Sequence, residues 1–185
     1  MRSSACLIAL IIAAVLFQTA IIPAVLPPVL RPDIGILIGV AILAFGERDF
    51  ALISIFCLGL QADIFGSARF GLLTLCYLLA AGLILLVAWR ELTRGDLVAA
   101  WFGGIAGTFV AHFLYVFIGR FCGLDLSWGQ AFTTLRSLTI SASIWGLPCA
   151  FVCGRFMARM NMLSSPVREK WAAASRHRQA RRGKV

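Results

Sequence analysis

Residues 97–118 read LVAAWFGGIAGTFVAHFLYVFI. No lysine, arginine, aspartate or glutamate interrupts the run. At about 1.5 Å of rise per residue, a helix of this length covers the roughly 30 Å of hydrocarbon in a bilayer. A stretch with these properties reads as a transmembrane helix, and it sets how the rest of the chain is parsed.

Outward from it the pattern repeats. A polar turn from Arg90 to Asp96 separates it from an apolar run over Phe70–Trp89, which follows the polar segment Gly66, Ser67, Ala68 and Arg69. From Ile34 to Phe65 the sequence is apolar except around Gly46, Glu47, Arg48 and Asp49, which gives two helices joined by a short turn. The first of these is short for a full span, so it is expected to be tilted, to thin the membrane locally, or to form part of a re-entrant hairpin. The N-terminal run from Ala5 to Leu26 exceeds a signal-peptide core of about 7–15 residues and reads as a retained span. Pro23, Pro27, Pro28 and Pro32 are expected to end it, because proline lacks the amide donor, and Pro32 suits the first turn of the next helix. On the C-terminal side a loop over 119–130 carries Arg120, Asp125 and Trp128, and a last span lies within Phe132–Phe156, interrupted by Pro148.

Composition agrees with this parsing. Of the 185 residues, 61% are hydrophobic and 14% charged, against about 25% charged in an average soluble domain. The mean hydropathy is +0.92. The fold class that follows is an all-α integral membrane protein, a compact bundle of about six transmembrane helices over residues 1–163, with a basic tail over 164–185.

The net charge of +9 resembles a nucleic-acid signal until the positions are read. Arg168, Lys170, Arg176, Arg178, Arg181, Arg182 and Lys184 make up seven of the 17 basic residues, so the charge belongs to the tail and no nucleic-acid partner is expected. Positive residues flanking spans are retained in the cytoplasm, which places the C-terminus inside and, after six crossings, the N-terminus inside as well. In the tail, Ser165 and Pro166 suit a helix start, and Val167, Trp171 and Ala174 fall on one face among the basic residues. That pattern suits a helix lying on anionic lipid headgroups, or a docking site for a cytoplasmic protein.

Small residues recur at four-residue spacing in three stripes: Ala5, Ala9 and Ala13; Ala99, Gly103, Gly107 and Ala111; and Ala142, Gly146, Ala150, Gly154 and Ala158. Such stripes let helix backbones approach closely. The second and third are expected to pack within the molecule, whereas the first serves equally well as a docking stripe for another membrane protein. The cysteines form no CxxC pair. Cys149 and Cys153 at i,i+4 are read as packing, and neither a metal nor a cofactor is expected.

Three ionisable residues stand out. Asp63 near the end of the third helix has an insertion cost of about 2.5–3.5 kcal/mol if deep, and two readings stay open: a binding role, or a structural one, either at an interfacial position hydrated by headgroups or as a pair with Arg69. Asp33 follows Pro32 at a helix start, where a carboxylate caps the N-terminus. His112 is expected to hydrogen bond to a neighbouring helix. A serine nucleophile activated by His112 would need Ser141 or Ser143, but the usual Gly-x-Ser-Gly context is missing, and no enzymatic activity is expected.

Taken in order, Phe17-Gln18-Thr19, Pro32-Asp33, Gly59-Leu60-Gln61-Ala62-Asp63, Gly71 and Leu75 resemble the motif series of the MreD family of rod shape-determining membrane proteins. The resemblance covers roughly Leu16–Leu79. It implies a non-enzymatic component of the bacterial inner membrane that links MreC, the actin-like MreB filament and the cell-wall synthases during lateral peptidoglycan growth. By motif position it marks Gln18, Asp33, Gly59, Asp63 and Gly71 as partner-binding or fold-defining. The implied fold resembles that of the substrate-binding subunits of energy-coupling-factor vitamin transporters. Those subunits are themselves the alternative reading, since their first helix carries a docking stripe similar to Ala5, Ala9 and Ala13. Such a binder should have a polar or aromatic pocket near the outer face, and Arg120, Asp125 and Trp128 are the residues available for it.

Overall fold

A computed structural model describes residues 2–27, 30–65, 70–92, 96–124 and 127–159, together with positions 163, 167 and 169. All regular structure among the described residues is helical, in six helices. Helix α1 is composite: an α-helix over Arg2–Leu16, a π-helical turn over Phe17–Ile21 and a last α turn over Ile22–Val25. The others are α2 (Ile34–Phe45), α3 (Arg48–Phe65), α4 (Leu72–Leu92), α5 (Leu97–Phe121) and α6 (Trp128–Arg159). Among the described residues, three stretches are long and apolar enough to cross a membrane: Ile8–Val25, Leu97–Phe121 and Trp128–Arg159.

The short helix is the centre of the molecule. Eleven of the 12 residues of α2 are buried, all but Ile38, and α2 packs against α3, α5 and α6, with lighter contacts to α4 and α1. At about 18 Å it is too short to match a bilayer, but a helix sheathed by other helices has no lipid boundary to match. Asp33, at its start, lies beside His112 of α5, nine residues before that helix ends, so α2 begins roughly 13 Å below the tip of α5. The proline-rich connection leading into α2 is held there by protein: Ser141 Oγ of α6 donates to the Leu30 carbonyl at 3.0 Å.

Two expected breaks do not occur. The first helix continues past Pro23 because the backbone widens into a π turn immediately before it, where the Ile22 amide bonds to the Phe17 carbonyl. A wider turn re-registers the ladder around the missing proline amide. Likewise α6 starts at Trp128 and runs through Pro148 without a break. The helix on either side of Pro148 is held by its small-residue stripe, in which Ala142, Gly146, Ala150 and Gly154 are all buried. The loss of one ladder hydrogen bond is tolerated in such a setting. At about 48 Å, α6 is longer than the hydrocarbon core is thick.

The second and third stripes pack within the bundle. A Cβ on Gly146 would come within 2.9 Å of the Trp101 ring, whose Nε1 donates to the Ser143 carbonyl at 2.9 Å and so ties α5 to α6. Gly154 faces the Phe45 ring in the same way. The first stripe differs, since Ala9 and Ala13 are exposed, as are Ile8, Ile12 and Leu16 beside them. Only 11% of Ile8–Val25 is buried, against 33% of Leu97–Phe121. Helix α1 thus adheres to the bundle by one narrow edge.

Leu163, just before the tail, and Val167 within it are buried in the same core cluster as Phe45 and Met157. Val167 therefore faces protein, not the lipid surface that the tail pattern assigned to it. Ser165, Pro166, Trp171 and Ala174 lie outside the described residues, as do Arg69 and Asp125.

Candidate functional site

The polar residues singled out in the sequence converge on two helix N-termini at one end of the bundle. The first four amides of any helix lack intrahelical acceptors, and in apolar surroundings each unmet donor is costly. The start of α2 meets this demand from two sources. Gln18, presented by the π turn of α1, accepts from the Gly35 amide through Oε1 at 3.0 Å. Asp33 accepts from the Ile36 amide through Oδ1 at 3.4 Å, as a capping residue.

Asp33 is buried, 7% exposed, and its second oxygen gathers two further helices. The Tyr77 hydroxyl of α4 donates to Asp33 Oδ2, and His112 Nε2 of α5 lies 2.9 Å from the same atom. One carboxylate therefore joins α2, α4 and α5, with α1 attached through Gln18.

The second terminus is that of α4. Asp63, 4% exposed on α3, accepts from the Leu73 amide through Oδ1 and from the Thr74 amide through Oδ2, both at 2.9 Å. The Thr74 hydroxyl also donates to Oδ2. Asp63 thus caps a helix other than its own. Two glycines make this possible. Gly71 begins α4 with φ +90°, a conformation that favours glycine. Gly59 lies one turn before Asp63 on the same face of α3, and a Cβ there would sit 2.8 Å from the Thr74 Cα. Thr74 and Tyr77 are adjacent on α4, so the two carboxylate clusters form one continuous belt.

The belt accounts for Gln18, Asp33, Gly59, Asp63, Gly71 and His112. Its members Thr74 and Tyr77 were missed by sequence reading. Both sit within the apolar Phe70–Trp89 run, where the available signal was a hydroxyl on each of two residues about one helical turn apart. The pairing of Asp63 with Arg69 lies outside the described residues, but both Asp63 oxygens are engaged by α4.

Other sequence candidates are arranged differently. Ser141 donates to Leu30 and Ser143 Oγ to the Thr139 carbonyl, while His112 is engaged with Asp33, so the hydroxyls of these two serines are directed to backbone carbonyls. Cys153 is buried and Cys149 partly so, and no group of three metal-ligating side chains gathers among the described residues. Arg120 stacks over the Trp128 ring at 4.9 Å from its centroid, at the end of a ladder of Phe109, Phe113, Phe117 and Phe121 along α5.

No protein-family model, curated protein or solved structure matches this chain.

Proposed function

We propose that the chain is a non-enzymatic scaffold of the bacterial elongation machinery in the inner membrane, of the MreD type, crossing six times with both termini in the cytoplasm and holding MreC, MreB and cell-wall synthases. The observation that carries this reading is where the motif residues fall. Gln18, Asp33, Gly59, Asp63 and Gly71 all serve two helix starts. Residues used in this way define a rigid shape rather than perform chemistry. Among the exposed apolar faces, that of Ala9 and Ala13 on α1, flanked by Ile8, Ile12 and Leu16, combines small residues at four-residue spacing and so suits a partner helix.

The same exposed alanines favour a second reading, a substrate-binding subunit of an energy-coupling-factor vitamin transporter, in which that face would meet the transporter core. Depletion in the native rod-shaped bacterium separates the two. The scaffold reading expects round cells with vitamin uptake unchanged, and unchanged shape together with lost uptake would overturn it.

A further inference from the structure

The exposed seam between α5 and α6 forms an aromatic furrow. A hollow of about 400 Å³ lies between Phe109 of α5 and Phe132 and Ile140 of α6, with Arg136 in its lining. A second, smaller hollow shares Phe132 and continues past Phe113 and Phe117 to Trp128. From Ile140 to Trp128 the furrow is about 18 Å long, just over three helical turns. Phe109, Phe113 and Phe117 stack in sequence along one wall and stay exposed, as do Phe132 and Ile140. A face this apolar is turned to hydrocarbon or to another protein, not to water.

Arg136 breaks that pattern. It is exposed in the furrow and has no hydrogen-bond or ion-pair partner among the described residues. Two neighbours set its depth. Arg120 stacks over Trp128 at 4.9 Å, and tryptophan beside a basic residue at a helix end marks the headgroup level. Arg136 lies eight residues further along α6, about 12 Å below that level, and it shares its hollow with Phe109, about 16 Å below Arg120 on α5. Lipid phosphates lie at the level that Arg120 already holds. A charged side chain within the hydrocarbon is costly and is found paired with an opposite charge, so the demand left unmet here is for a carboxylate at the depth of Arg136. Backbone exposed to lipid at that depth is helical, so the carboxylate comes on a helix that crosses the membrane.

A second copy of this chain does not supply it. Among the described residues, Asp33 and Asp63 are buried and engaged, while Glu47, Asp49 and Asp96 lie at the opposite end of the bundle. We propose that the α5–α6 furrow docks a transmembrane helix of another protein, whose aspartate or glutamate pairs with Arg136. Such a helix fits a scaffold assembly and a transporter core alike, so the site stands apart from either reading of function and from the Ala9–Ala13 face.

Photo-crosslinking in the native cell tests this, with p-benzoylphenylalanine in place of Phe132 of the full chain. The expected product is an adduct with a membrane protein whose span carries a carboxylate, identified by mass spectrometry. Arg136→Leu should reduce its yield about tenfold at unchanged melting temperature, and Arg136→Glu should abolish it. Reversing both charges, Arg136→Glu together with arginine in place of the partner's carboxylate, should restore it. Adducts to lipid alone or to a second copy of this chain would overturn the proposal, as would a partner with no carboxylate in its span. So would a yield that Arg136→Leu leaves unchanged, or a double reversal that restores nothing.

Discussion

Asp63 of α3 caps the first turn of α4 by accepting from both the amide and the hydroxyl of Thr74. The capping residue thus belongs to a different helix, so the α3–α4 corner is locked by an interaction that neither helix makes alone. Replacing Asp63 with leucine leaves the Leu73 and Thr74 amides without this acceptor. A loss of about 1–3 kcal/mol for each stranded donor would follow. Thermal unfolding of the purified protein in detergent should fall by several degrees, and Asp63→Asn, which keeps one acceptor, should lie between. Unaltered melting in Asp63→Leu would reduce the carboxylate to an interfacial group.

Gly59 supports the same corner sterically. Its Cβ would meet the Thr74 Cα, a backbone atom that no rotamer change can move. Gly59→Ala should therefore destabilise by about 1–3 kcal/mol, and Thr74→Ala should not rescue it. Rescue in the double variant would show that the side chain, not the backbone, sets the limit.

At Gly71 the constraint is conformational instead. No neighbouring atom lies within 4 Å of a Cβ built there, but φ is +90°. The expected order of stability is glycine, then asparagine, then valine, with Gly71→Val costing about 1–2 kcal/mol or more. Equal melting temperatures for Asn and Val variants would sink this account.

Asp33 and His112 belong to a shared cluster with Tyr77, so their contributions should not add. In a double-mutant cycle, Asp33→Asn and His112→Leu should each destabilise, with a coupling of about 0.5–3 kcal/mol. Additivity within measurement error would mean that the 2.9 Å approach carries no energy.

On α1 the expectation is reversed. Ala13 is exposed, so Ala13→Leu should leave the melting temperature unchanged and still weaken co-purification of the membrane partner of the proposed scaffold. Equal recovery of partner by the variant and the unmodified chain would remove this face from the docking surface.

Apolar runs, helix-breaking residues and the concentration of charge beyond Arg168 made the helical membrane character and the polar connections legible, because insertion into hydrocarbon depends on local composition. Capping by Asp33 was legible too, since a cap is made within four residues of chain. The central place of α2 was not. Its sequence is uniformly apolar, and such a pattern marks burial without saying whether lipid or protein surrounds the helix. Nor could spacing reveal that Asp63 reaches Thr74 or that Tyr77 and His112 meet on Asp33, 44 and 79 residues away. Those bonds exist because helix starts in an apolar environment must find acceptors wherever the packing brings them. Composition determined that this chain forms apolar helices, and only their packing around α2 decided which polar groups meet.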